Sequence, residues 1–291
     1  MVLSEFKEII KTKEPLAGYT FTGLGGSCEM LATPRDVREL AALFQACLQK
    51  NISLRILGNG CNLLVCKAYL PGVVVRLVEK PFVACEQDGK ITRMGAGASI
   101  FSAISFCAQN NLAGLETLVG IPGTIGGAVI SNLGDRNGSV GRFVSRVEVL
   151  DSQGNRQFRD KEEISFREQG SDLNDPVLLS VEFQFDQDKP EAIMKRLKKS
   201  WVGRKINLPT GVPYAGKIFR NPRGLVATTL IEQAGLQREK IGGAEICDRD
   251  ANYIILHPGV QTEDVLRLIE HIRQGVRERF NVELEPEISI W

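Results

Sequence analysis

Between positions 114 and 141 the chain carries Gly114, Gly120, Gly123, Gly126, Gly127, Gly134, Gly138 and Gly141. Glycine at this density weakens any regular element, because it loses more backbone freedom on folding than other residues. In return it lets the main chain turn left-handed and approach a ligand or another segment closely. The expectation is a break in the regular elements. Within the break, Gly120-Ile-Pro-Gly-Thr-Ile-Gly-Gly-Ala128 combines uncovered N–H groups with the Thr124 hydroxyl and the Asn132 amide, a donor set suited to two adjacent phosphates. Leu57-Gly-Asn-Gly-Cys-Asn-Leu-Leu-Val65 is a second candidate. By itself it reads equally well as a tight strand-to-loop turn, since Gly and Asn tolerate positive φ.

Two other phosphate motifs fail. No Gly-x-Gly-x-x-Gly opens a helix directly after a strand with an acidic residue about 20 positions on, which disfavours a nicotinamide-type Rossmann domain. Gly211-Val-Pro-Tyr-Ala-Gly-Lys217 matches a P-loop until Ile218 stands where a Ser or Thr must bind magnesium, and Pro213 removes a backbone donor from the would-be cradle.

The 291 residues, 43% hydrophobic and 24% charged, describe an ordinary globular chain large enough for two or three packed lobes. With 36 basic against 35 acidic residues the net charge is +1, so no global field draws in nucleic acid or an anionic membrane. Neither is expected as a partner. Seven cysteines form no Cys-x-x-Cys pair, and His257 and His271 are the only histidines. This pattern predicts no disulfide framework, no metal site and a reducing, cytoplasmic location. The N-terminal residues lack the apolar run of a signal peptide, and no stretch reaches the roughly 20 apolar residues of a membrane span.

Periodicity predicts a helix after Thr33-Pro34 with Val37, Leu40, Ala41, Phe44 and Leu48 on one face, and a second on Ile100, Ile104 and Cys107. Strands are predicted at 54–57, 73–77, 91–94, 144–150 and 177–185. A boundary follows near 188. Beyond it come a basic helix over 189–205, an irregular loop over 208–216, an amphipathic helix begun by Thr262, and a closing strand over 282–290.

Taken together the segments resemble the MurB family, the flavin-dependent UDP-N-acetylenolpyruvoylglucosamine reductases of peptidoglycan synthesis. The resemblance rests on Gly58-Asn-Gly-Cys-Asn-Leu-Leu-Val65, Gly95-Ala-Gly97, Gly114 through Ala128, Asn132-Leu-Gly134, Phe166-Arg167, Ala215 through Pro222, Leu230 through Leu236, Ile241-Gly-Gly-Ala244 and Leu284-Glu-Pro-Glu287. It implies an α+β protein: a two-lobe FAD-binding domain of the vanillyl-alcohol-oxidase/PCMH type over 1–188, with lobes of about 1–78 and 79–188, and a C-terminal α/β substrate domain over 189–291. It implies FAD held by Gly58, Asn59, Gly60, Cys61, Asn62, Leu63, Gly120, Ile121, Pro122, Gly123, Thr124, Gly126, Gly127 and Asn132. NADPH is implied as co-substrate, a UDP-sugar as substrate, bound by Arg220, Asn221 and Asn252, and a monomeric state.

The implied reaction adds hydride to C3 of an enolpyruvyl ether while C2 receives a proton, so cationic donors and an acid are required. The resemblance places Arg167 and Glu287 in these catalytic roles and Lys217 where the family has a serine proton donor. An ordinary ammonium, with a pKa near 10.4, is a sluggish acid. Lys217 is therefore open to three roles: proton donor, point-charge anchor for a phosphate or carboxylate, or a side chain that fills the pocket and prevents reduction. Further departures, Gly23, Gln169, Cys247, Asp250 and Leu256-His257, gather on the substrate side. A related flavoprotein with another substrate, or without reductase activity, is the alternative reading.

Overall fold

The computed structural model describes residues 3–135, 138–168, 170–209 and 211–291, with the main chain alone at 135 and 207. The chain divides into two compact units: Met1–Glu14, Cys28–Asn59 and Pro71–Gly203 form the first, and Pro15–Ser27, Gly60–Leu70 and Arg204–Trp291 the second. A single cut at 188 does not reproduce this division. Two short N-terminal segments belong with the C-terminal unit, and the basic helix, observed at Pro190–Asn207, crosses the boundary between units.

Unit 1 is built on a four-stranded and a five-stranded sheet, with three two-stranded pairings beside them. In the first the strands run in the order Ile10–Pro15, Ser27–Ala32, Tyr69–Val75, Leu54–Ile56, with the last two parallel. The helix Val37–Gln49 buries Leu40, Leu43, Phe44 and Cys47. Its cap is Asp36, which accepts from the Glu39 N–H at 2.9 Å, rather than Thr33. The second sheet is antiparallel, in the order Arg156–Asp160, Val144–Leu150, Val177–Gln184, Ile91–Gly95, Cys85–Asp88. Its central strands are apolar, and one carboxylate, Glu148, lies buried among them, held by Arg93, Arg156 and Ser180. These partners offset the cost of burying the charge.

The glycine-rich stretch is not wholly irregular. Ile125–Ile130 forms a helix whose cap is the Thr124 hydroxyl, accepting from the Gly127 N–H at 3.3 Å. Glycine serves packing here: a Cβ at Gly126 would sit 3.0 Å from the Ala96 Cβ and 3.1 Å from the Ala96 carbonyl oxygen. The sequence signal came from this close approach, which is compatible with a short helix.

In unit 2 an antiparallel sheet runs Tyr214–Gly216, Tyr253–Leu256, Ala244–Ile246, Lys240–Ile241. The expected 208–216 loop thus ends in a strand. Helices Ala227–Gln233 and Thr262–Phe280 supply much of the core, the longer one through Val265, Leu268, Ile269, Ile272 and Val276. The closing strand is shorter than expected: Ser289–Ile290 pairs in parallel with Leu63–Leu64. Pro286 and the charged residues of 283–287 limit its length. The observed architecture is α+β.

Candidate active site

The two glycine-bearing segments meet within unit 1. A Cβ at Gly58 would lie 2.9 Å from the Thr124 Oγ1, and the Asn59 amide donates to the Gly123 carbonyl at 3.1 Å. Ser99 and Thr124 form an isolated antiparallel bridge, in which Ile100 donates to Gly123 and Ile125 to Ala98. In this pairing the N–H of Thr124 itself points away from the bridge.

The donors then sort themselves. Ile121 donates to Leu118, Gly126 to Ala96 and Gly127 to Thr124, and Pro122 has no N–H. These four residues of the expected donor set therefore shape the loop without offering it a free N–H. The N–H groups of Gly58, Gly120, Gly123 and Thr124 have no acceptor among the described residues. Thr124 is 7% exposed, and a donor left unpaired at such depth calls for an external acceptor. The result is a shallow cradle of unpaired main-chain donors floored by glycine.

Asn132 departs from its expected role. It is buried, with φ 45°, and both ends of its amide pair with protein: Nδ2 donates to the Arg167 carbonyl at 2.7 Å, and Oδ1 accepts from the Gly141 N–H at 3.0 Å. It holds protein rather than phosphate. Arg167 is exposed on the short strand Phe166–Arg167, paired with Gly170–Ser171. Its guanidinium forms no ion pair with a described residue, so it is not a surface salt-bridge partner. Gln169 lies outside the described residues.

Unit 2 brings together Lys217, Arg220 and Glu287. Phe219 bridges to Pro286, and the Glu287 N–H donates to the Ile218 carbonyl at 2.7 Å. Asn62 braces the main chain of the same residue, its amide donating to the Glu287 carbonyl at 3.0 Å. This use of the Asn62 amide also departs from the expected phosphate contact. The Glu287 Oε2 is buried and has no hydrogen-bond partner among the described residues. Burial raises the Glu287 carboxyl above its ordinary pKa, while the charges of Lys217 and Arg220 pull it down without reversing the shift. Lys217 and Arg220 are themselves exposed. The group is thus a buried carboxyl with its pKa raised and two cations in electrostatic reach.

Cys61 is half-buried, and burial pushes its thiol up to about 11, which keeps it neutral. Gly60 must be glycine because a Cβ would fall 2.3 Å from the Tyr19 carbonyl oxygen. Leu63 is a buried strand residue.

Comparison with known proteins follows from these pieces. Residues 28–157 match a family described as FAD binding domain, and residues 208–291 match one described as UDP-N-acetylenolpyruvoylglucosamine reductase, C-terminal domain. The UDP-N-acetylenolpyruvoylglucosamine reductase of Moorella thermoacetica is 36% identical over 283 residues, covering 97% of this chain and 93% of that protein. The chain belongs to the MurB family.

The reductase of Caldanaerobacter subterraneus, 35% identical, is matched over 100% of this chain and 98% of its own length. Crystalline MurB from Thermus caldophilus superposes with a TM-score of 0.82 at 31% identity, over 97% of this chain and 98% of that one. Wild-type Phl p 4.0202, a glucose dehydrogenase, at 14% identity and a TM-score of 0.51 over 63% of this chain and 42% of that one, shares the fold alone. As a MurB-family member the chain is an FAD-dependent oxidoreductase, and the expected cofactor is borne out. The cradle fits FAD, because its unpaired N–H groups complement the oxygens of a pyrophosphate.

Within this MurB frame two expected substrate contacts are taken. Asn252, 2% exposed, accepts from the Phe219 N–H and donates to its carbonyl, both at 2.8 Å. Asn221 accepts from the Ala227 N–H at 3.0 Å, holding the start of a helix. The amide of Asn252 completes the backbone pairing of Phe219, whose own N–H and carbonyl point away from Pro286 in their bridge. Arg220 alone of the three stays exposed. Sequence reasoning missed Ser171, whose hydroxyl donates to the Ile130 carbonyl at 3.0 Å and ties the Arg167 hairpin to the cradle's helix; a lone serine gave no signal for it. No group of three or more His, Cys, Asp or Glu side chains able to hold a metal occurs among the described residues, and no described helix is long and apolar enough to cross a membrane.

Proposed function

We propose that the chain reduces the enolpyruvyl ether of UDP-N-acetylglucosamine to UDP-N-acetylmuramate with NADPH as the electron source, in the cytoplasm and as a monomer. The observation that carries this reading is the buried, unpartnered oxygen of Glu287 beside Lys217 and Arg220, in a chain whose relatives over nearly its full length are reductases of that name. FAD, when bound, supplies the hydride. The cradle donors of Gly58, Gly120, Gly123 and Thr124 hold its pyrophosphate.

Hydride addition at C3 of the substrate leaves negative charge on the carboxylate side of C2, and a cationic guanidinium stabilises that charge more in the transition state than in the ground state. Arg167 and Arg220, whose guanidiniums form no ion pair among the described residues, serve this purpose. C2 then needs one proton. Lys217 delivers it, directly or through a water, in the place of the family's serine. Glu287 holds a proton in reserve and returns it to the lysine. Desolvation favours its neutral form, the form that can return a proton.

Anaerobic stopped-flow spectroscopy tests the assignment. FAD-loaded protein is reduced by NADPH and then mixed with the enolpyruvyl sugar nucleotide. Reoxidation with stoichiometric UDP-N-acetylmuramate is expected; a flavin that NADPH reduces and the sugar nucleotide leaves reduced would sink the assignment.

A further inference from the structure

The Arg167 hairpin is fastened to the end of the cradle's helix at two points. Asn132, two residues beyond the helix Ile125–Ile130, donates to the Arg167 carbonyl at 2.7 Å. Ser171, the cross-strand partner of Phe166, donates to the Ile130 carbonyl at 3.0 Å. The second half of the Asn132 amide is locked by the Gly141 N–H at 3.0 Å. Gly141 in turn makes room for the Phe166 ring, which a Cβ there would meet at 2.5 Å. An αL backbone and a side chain with one donor and one acceptor are both required at 132, and asparagine is the residue that supplies them together.

We propose that Asn132 is a positioning residue for the reductase reaction: clamped between Gly141 and Arg167, it fixes the arginine's main chain relative to the helix that starts at the phosphate cradle. Cofactor anchor and charge-stabilising arginine are thereby parts of one rigid piece. The helix that joins them has six residues, about 9 Å at 1.5 Å per residue. The guanidinium forms no ion pair with a described residue, Asp172 being a carboxylate in its electrostatic reach, so its placement depends chiefly on the backbone from which it springs. This inference rests on the proposed role of Arg167.

Two variants separate positioning from folding. Asn132→Asp keeps αL tolerance and the acceptor for Gly141 but loses the donor to Arg167. Asn132→Gly keeps the backbone conformation and loses both. In FAD-loaded Asn132→Asp, flavin content and reduction by NADPH stay at wild-type levels while substrate-driven reoxidation slows by about 10²-fold, the scale of a misplacement of roughly 1 Å. In an Arg167→Ala background the same change adds little, because the group it positions is gone. Hydrogen exchange supplies a readout independent of activity: in the apo protein the segment containing Phe166 and Arg167 exchanges faster in both variants, and the Gly141 amide faster only in Asn132→Gly. Equal losses in the presence and absence of the arginine side chain, or unchanged exchange at the hairpin, would overturn the proposal. Failure of the wild-type enzyme to act on the enolpyruvyl sugar would instead remove the substrate assignment and leave the exchange result standing.

Discussion

The cradle of unit 1 and the charged cluster of unit 2 solve opposite problems. Around Gly58 and Thr124 four main-chain N–H groups stand open among paired neighbours, and glycine lets two segments 64 residues apart touch. Around Glu287 an oxygen is buried without a partner and two cations are exposed without ion pairs. Holding a cofactor rewards a preorganised surface in which only the ligand's donors are left open. Moving a proton requires groups that are not fully satisfied, because a carboxylate locked in bonds has no reason to change its charge. The difference teaches where stability was given up for chemistry.

Arg167→Ala sharpens the contrast most. Substrate-driven reoxidation should fall by about 10²–10³-fold, the usual loss when one charge-stabilising donor is removed, with flavin content unchanged; single-turnover kinetics reads it. Asn252→Ala comes next and should affect stability instead. It leaves the buried N–H and carbonyl of Phe219 unpaired, at a cost of about 1–3 kcal/mol for each such group, measured by urea unfolding. A loss of substrate affinity without loss of stability would return Asn252 to the substrate site.

How far each region could be read in advance follows from the same contrast. The strands at 144–150 and 177–184 were legible as short apolar runs on either side of a polar turn region, and the helix Thr262–Phe280 because its buried residues recur at helical spacing. The helix Ile125–Ile130 was hidden, because its glycines serve contact with Ala96 and read as a loop. In the site, residue type marked 120–128 and left 57–65 open as a turn; the resemblance to the MurB family is what implied that both serve one cofactor. The roles of Asn62, Asn132, Asn221 and Asn252 were not anticipated. An asparagine that binds a ligand and one that closes a stray main-chain pair look alike in a sequence, and only tertiary partners separate them.

Gly58→Val tests the cradle with a smaller effect. The branched side chain would press on the Thr124 hydroxyl, already 2.9 Å from the nearest Cβ position, and should weaken FAD binding by about tenfold, or about 1.4 kcal/mol. Titration of the apoprotein followed by flavin fluorescence gives the constant. Glu287→Gln is expected to produce the smallest change in stability, and its sign is diagnostic. Because burial raises the folded-state pKa of Glu287, the wild-type protein is least penalised below the ordinary glutamate pKa of about 4.3 and loses stability as pH rises through the folded value. Glutamine escapes the penalty. The variant should therefore melt higher than wild type at neutral pH, by an amount that shrinks on acidification; a variant that melts lower at pH 7 would mean that the carboxylate is favourably paired.

The central claim is that unit 1 carries the cofactor-holding groups while proton delivery belongs to the Lys217 cluster. Its most direct test is the two half-reactions of Lys217→Ala, measured by anaerobic stopped flow on the FAD-loaded protein. Reduction by NADPH should keep its wild-type rate while reoxidation by the enolpyruvyl sugar nucleotide slows by about 10²–10⁴-fold, the range that a positioned acid contributes. Wild-type reoxidation in the variant, or equal loss of both half-reactions, would contradict the claim.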